Sequence, residues 1–288
     1  MKKILPFVLV LLLVSCGGGE EKWVLMSSPV DADLYDVWVL ENGNVWIAGA
    51  EGKVLFYDGE ILGALESGLS ATLRGVSFAS ENTGWVCGNF GVIARYSDGT
   101  WVQDTSFGFT RTLHDIYFFD DNTGWAVGSG GNIYYYNGTF WKEFPSPVNN
   151  TLKCLHFCDK NHGWAAGDEG VIIKYSDGTW VEIASPADRT INGVWAVSPD
   201  EAWFVGVDGL IIHWKDGSFE VLPSQTTLDL YGVWMKNPND GWICGENGAL
   251  YHYEEGEWVA KASPTAKNLY GINKGWACGE EGTVIRIE

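Results

Sequence analysis

The sequence predicts an all-β fold: a seven-bladed β-propeller of four-stranded blades, closed by its own N-terminal strand. Three observations predict it. The motif Trp-x-x-Gly-x-x-Gly occurs seven times, starting at Trp46, Trp85, Trp125, Trp164, Trp203, Trp242 and Trp276. An aliphatic anchor precedes each copy, at Leu34, Leu73, Leu113, Leu152, Ile191, Leu230 and Leu269, in steps of 39, 40, 39, 39, 39 and 39 residues. The seventh repeat reaches Glu288 one strand short, and a matching strand stands near the N-terminus. A period of roughly 40 residues without amphipathic helical runs fits one blade per repeat.

Each repeat reads as four short strands. The first runs from the anchor, as in Leu230-Tyr231-Gly232-Val233-Trp234. A polar turn such as Asp121-Asn122-Thr123-Gly124 leads to the second, a Trp followed by small apolar residues. The two motif glycines bracket a tight turn, where a positive φ costs glycine little. The third strand ends in an aromatic (Tyr57, Tyr96, Tyr136, Tyr175, Trp214 or Tyr253), and a second Gly turn leads to a fourth that opens with Trp101, Trp141, Trp180, Phe219 or Trp258. The repeated Trp and aliphatic positions are read as packing between blades, each fully buried large side chain contributing roughly 1.5–3 kcal/mol.

Ring closure follows from a comparison of outer strands. Trp23-Val24-Leu25-Met26-Ser27-Ser28-Pro29 matches Trp180–Pro186 and Trp258–Pro264, with Trp first and Ser-Pro last. Trp23 lies as far before Leu34 as Trp180 lies before Ile191. Trp23 therefore belongs to the outer strand of blade seven, which relieves an exposed sheet edge.

The chain divides into residues 1–15, 16–21 and 22–288. Lys2 and Lys3 precede an apolar run, Ile4–Val14, and then Leu13-Val14-Ser15-Cys16. This order resembles the signal peptide and lipobox of bacterial lipoproteins, which implies cleavage before Cys16 and acylation of Cys16. The apolar run is shorter than the roughly 20 residues that span a bilayer. Residues 16–21 then form a short tether and 22–288 the propeller. The expectation is a cell-envelope protein held to the membrane through its lipid alone, at the outer membrane (periplasmic or surface face) if the cell is Gram-negative.

The formal net charge of −19 repels nucleic acid and anionic headgroups, so DNA and RNA binding are excluded as leading readings. Five cysteines follow Cys16. Cys87, Cys244 and Cys278 share one repeat position, filled by Ala or Val elsewhere, so they read as small buried side chains rather than a disulfide framework. Cys154 and Cys158 stand four apart in one predicted strand, too far for easy bridging.

Gly-Trp-Ala-Val-Gly (Gly124–Gly128), the Gly-x-Ile-x-x-Tyr third strand and Ser-Asp-Gly-Thr-Trp (Ser97–Trp101 and Ser176–Trp180) resemble the photosystem II assembly/stability factor family and the wider BNR (Asp-box) propellers. The resemblance covers all seven repeats. Asp98, Asp177 and Asp216 fit the Asp box, though the turn is short, and blades one, three and six depart from it. Two functions implied by these families do not fit the residues. Propeller sialidases use three clustered Arg, whereas this chain has only Arg74, Arg95, Arg111, Arg189 and Arg286, without a sialidase signature. The photosynthetic factor meets its partner through a basic patch, whereas this chain is strongly acidic. The WD-type repeat fits poorly, because no Trp-Asp pair ends the strands.

The residue after each anchor is placed near the central channel: Tyr35, Arg74, His114, Lys153, Asn192, Tyr231 and Tyr270. All seven are polar or aromatic, which suggests a funnel for a peptide, glycan or protein loop, or a merely solvated channel. The Gly-x-x-Gly turns on that face carry Glu51, Asp168, Glu169, Asp208, Glu246, Glu280 and Glu281. They suit a cationic partner or simple solvation, and their spread around the ring argues against Ca²⁺. His114, His156, His162, His213 and His252 lack metal-ligand spacing, and no nucleophile elbow, phosphate loop or dinucleotide fingerprint occurs. No cofactor is expected, and a monomer is. The reading is a propeller binding or assembly scaffold for an envelope protein, peptide or glycan. The alternative is a carbohydrate-active hydrolase or lyase with its site at the channel mouth, which requires three Arg or a carboxylate pair there.

Overall fold

The computed structural model describes residues 21–288; Cys16 and the signal segment lie outside the described residues. Seven four-stranded antiparallel sheets follow one another around a channel, and the first strands of neighbouring blades pack against each other. Six sheets use consecutive strands. The seventh combines Leu269–Asn273, Trp276–Gly279 and Val284–Ile287 with Trp23–Leu25, in that spatial order. Trp23 pairs with Ile287, Val24 with Arg286 and Leu25 with Ile285. The pairing extends through Met26 N–H to the Val284 carbonyl at 2.9 Å and Glu288 N–H to the Lys22 carbonyl at 3.0 Å. The chain thus closes the ring with its own N-terminal strand.

The core lies between blades. Trp46, Trp85, Trp125, Trp164 and Trp203 are almost wholly buried. In blades one to three the second-strand Trp meets a Phe on the first strand of the next blade: Trp85 stacks on Phe118 at 3.5 Å, and Trp46 on Phe78 at 4.2 Å. Across each blade the same Trp faces its register partner on the third strand, and that partner is always planar or cationic. Arg95 lies over Trp85 at 5.2 Å, Lys174 over Trp164 at 5.0 Å and Arg286 over Trp276 at 5.8 Å. His213 and His252 stack on Trp203 and Trp242 at 3.8 and 4.4 Å. The slot shared by His, Arg, Lys and Tyr is therefore a Trp-covering position, selected for a cation or a ring.

The Asp-Gly turns of blades two, four and five are two-residue hairpin turns with both residues at positive φ: Asp98 and Gly99 at 52° and 85°, Asp177 and Gly178 at 51° and 79°, Asp216 and Gly217 at 49° and 87°. Blade six makes the same turn with Glu255 and Gly256, at 52° and 87°. The backbone, rather than an Asp side chain, defines the turn. Cys87, Cys154, Cys244 and Cys278 are buried free thiols, and Cys158 is a half-buried one.

Candidate functional site

Every first strand carries a bulge at one place. Register shifts fall between Leu34 and Asp36, Leu73 and Gly75, Leu113 and Asp115, Leu152 and Cys154, Ile191 and Gly193, Leu230 and Gly232, and Leu269 and Gly271. The residue skipped is in each case the one after the anchor. A bulge leaves that residue unpaired and re-aims its side chain. Tyr35, Arg74, His114, Lys153, Asn192, Tyr231 and Tyr270 accordingly all line one cavity on the channel, and all are half-buried.

The structure divides these seven into two arcs. Tyr231, Tyr270 and Tyr35 come from blades six, seven and one, which closure makes neighbours. Tyr270 stacks on Tyr35 at 5.4 Å and meets Tyr231 edge-on at 5.3 Å. Burial, with Asp229 and Glu246 nearby, pushes the Tyr231 phenol up to about 12, and burial also raises Tyr35 and Tyr270, so all three stay neutral. Arg74, His114 and Lys153 form the opposite arc. Each is held by the first residue of its own blade's second-to-third turn: Arg74 Nε donates to Asn89 Oδ1 at 2.7 Å, His114 Nε2 lies 3.2 Å from Ser129 Oγ, and Lys153 pairs with Asp168 at 3.2 Å. Burial, followed by the charges of Arg74 and Lys153, lowers His114 to about 4, so it is neutral at pH 7. Asn192 sits between the arcs and donates to the Leu230 carbonyl at 3.0 Å. Arg74 bridges to the aromatic arc, its guanidinium 5.3 Å from the Tyr35 ring centre.

Below the mouth lie two carboxylates passed over in the sequence. Asp36 accepts Val37 N–H and, across the blade boundary, Val76 N–H, both at 2.8 Å. Asp115 accepts Ile116 N–H and Leu155 N–H, both at 2.7 Å. Burial raises both, Asp36 to about 7. The signal was present in the repeat: their position holds Gly75, Cys154, Gly193, Gly232 and Gly271 in the other blades. A Cβ on Gly271 would come within 2.9 Å of the Asp36 Cα, so a small neighbour makes room. Each carboxylate oxygen accepts one backbone N–H, so the pair clips blades together while both side chains line the channel cavity. Deeper still, His156 Nδ1 accepts Ala196 N–H at 3.0 Å, its ring stacks on Trp195 at 3.8 Å, and burial lowers it to about 3.

The cavity measures about 140 Å³. Pockets that enclose a whole small ligand run to roughly 300–1,000 Å³. The mouth therefore has room for a side chain or chain end, with the remainder of any ligand on the face. Several acids of the turns are also clips: Glu246 accepts Asp229 N–H at 3.3 Å, and Glu280 accepts Asn268 N–H at 3.2 Å. Among the described residues no group of three His, Cys, Asp or Glu is placed to hold a metal ion. Arg95 and Arg286 lie over Trp rings in the blades, and no trio of Arg meets at the mouth.

No protein-family model matches the chain, and no curated protein matches its sequence. Solved structures do match. A YCF48 bound to a D1 peptide is 18% identical, with a TM-score of 0.78 over 92% of this chain and 94% of that one. YCF48 from Cyanidioschyzon merolae is 18% identical, with a TM-score of 0.77 over 92% and 98%. The WD40 propeller domain of Doa1 is 13% identical, with a TM-score of 0.79 over 93% and 97%. At these identities the likeness is one of fold, and this chain is a seven-bladed β-propeller of the kind that all three share.

Proposed function

We propose that this chain is a lipid-anchored scaffold of the cell envelope that binds a segment of a partner protein at its channel mouth. Acylation at Cys16 tethers it, at the outer membrane in a Gram-negative cell. One observation carries the reading: seven bulges aim seven polar or aromatic side chains at a single mouth, divided into a neutral tyrosine arc and a polar arc that carries Arg74, His114 and Lys153. Solvation alone asks for no such division. The arcs suit a peptide that offers an apolar side chain on one side and hydrogen-bond acceptors or a carboxylate on the other. The cavity has room for one inserted side chain or ring, and a propeller of the same fold is solved with a peptide bound.

The test is a pull-down from detergent-solubilised envelope with the full chain and with a Tyr231→Ala/Tyr270→Ala variant. A discrete protein retained by the first and lost by the second supports the reading. Identical retention by both, or none by either, contradicts it.

A further inference from the structure

The rim around the mouth breaks its own repeat in one sector. The tip residue of each second-to-third turn has positive φ, and in six blades it is Glu, Asp, Asn or Gly. In blade two it is Phe90, at φ 59° and 78% exposed. A bulky residue in left-handed backbone is costly, and such strain persists where function or surroundings hold it. The connection that leads from this blade breaks a second pattern. The other connections place a Ser there whose hydroxyl bonds the local backbone, as Ser67 does with the Gly52 carbonyl at 2.6 Å and Ser146 with the Val148 carbonyl at 3.0 Å. This connection has Phe107, 37% exposed and packed on Phe109 and Tyr134 at 4.9 and 5.4 Å.

A third departure is electrostatic. The residue two before the anchor reaches the next blade's tip elsewhere in the ring: Arg189 donates to the Asp208 carbonyl at 2.9 Å, Asn150 donates to Glu169 at 2.9 Å, and Lys267 pairs with Glu281. Arg111 instead lies over Gly130, where a Cβ would come within 2.0 Å of its Nη1. Among the described residues Arg111 has no hydrogen-bond or ion-pair partner, and Arg74 has no carboxylate partner. The turns of blades two and three, Asn89–Gly91 and Ser129–Gly131, carry no acid. On a chain of net charge −19, this sector keeps two arginines free of acids beside two exposed phenylalanines.

We infer that the rim of blades two and three is the approach subsite for an acidic peptide segment bearing a large apolar side chain. Arg111 and Arg74 meet its carboxylates, and Phe90 and Phe107 flank its apolar group. The inference deepens the mouth-binding reading and rests on it. An anionic membrane is the weaker occupant, because the acids elsewhere on the same face repel it.

The experiment uses the full chain and three fluorescein-labelled peptides in a Gly/Ser background: one with Glu and Phe, one with Lys in place of Glu, one with Ala in place of Phe. The Glu/Phe peptide binds about tenfold or more tightly than the others by anisotropy, and Phe90→Asn and Arg111→Gln each weaken it about tenfold. Asn already stands at the equivalent tip in blade six, as Asn247 at φ 55°, so Phe90→Asn melts at or above the parent temperature and its loss is not one of folding. Equal binding of the three peptides, or unchanged binding by both variants, overturns the inference. If the variants are silent while Tyr231→Ala/Tyr270→Ala abolishes binding, the mouth reading stands and the rim subsite falls. Co-sedimentation with phosphatidylglycerol vesicles that Arg111→Gln abolishes also overturns it, in favour of a lipid surface.

Discussion

Trp23 stands edge-on to Trp242, with ring centres 5.2 Å apart and planes at 81°. Trp258 meets Trp203 at 5.4 Å and 86°, and Trp180 meets Trp125 at 5.8 Å and 84°. The N-terminal strand thus repeats the contact that the outer strands of blades four and six make with the blade before, although it comes from the far end of the chain. Velcro closure therefore seals a sheet edge and fills a Trp-sized position in the core.

That contact makes the first prediction. Trp23 is 3% exposed, and Trp23→Ala removes its whole ring from the junction of blades six and seven. The expected loss is about 3–5 kcal/mol. Deleting residues 22–28 costs more, because it also frees the edge of Val284–Ile287. Thermal melts of the parent, the substitution and the deletion check this. Equal melting temperatures for parent and deletion contradict the closure.

A second prediction concerns pH. His114 is lowered from 6.5 to about 4. Between those values the unfolded chain binds a proton that the folded chain does not, so this group's contribution falls as pH drops from 6.5 toward 4. Asp36 has the opposite sign. Raised from 3.8 to about 7, it holds a proton in the folded chain that the unfolded chain has released, so its contribution rises as pH drops from 7. The two offset each other in the parent. His114→Gln removes only the first, and its stability relative to the parent should improve by about 1–2 kcal/mol between pH 7 and pH 5. Urea unfolding at the two pH values measures it, and a pH-independent difference contradicts it.

A third prediction follows from the cysteines. Burial raises the Cys87, Cys154, Cys244 and Cys278 thiols, and raises the half-buried Cys158 to about 11. Thiolate is the reactive form, so at pH 8 all five resist Ellman's reagent in the folded protein, with Cys158 the first to react. Unfolding releases five thiols if Cys16 is acylated and a sixth if it is free. Rapid labelling of the folded protein contradicts the packing role.

How much was legible follows from where the information resides. The ring, the blade count and the closing strand were legible because packing repeats, and a repeat read seven times averages out local ambiguity. The mouth residues were legible because each follows an anchor, although the bulge that turns them inward was not foreseen. Asp36 and Asp115 stand one place beyond the residue that follows the anchor, as outliers in a position that is Gly or Cys in the other blades, and their bonds across the blade boundary depend on the ring rather than on the repeat. The division into arcs needed closure, since Tyr270 neighbours Tyr35 only in a ring. The unpaired state of Arg111 is a fact of side-chain geometry. Spacing shows that Gly130 is a turn residue, but not that an arginine fills the room it leaves.

The central claim is that partners meet the mouth. The most direct measurement is photo-crosslinking in living cells, with a benzophenone amino acid in place of Tyr270 at the mouth or of Asn161 at the opposite end of the channel. Capture of one discrete protein from Tyr270 and none from Asn161 is the predicted result. Capture from Asn161 alone, or from neither position, contradicts it.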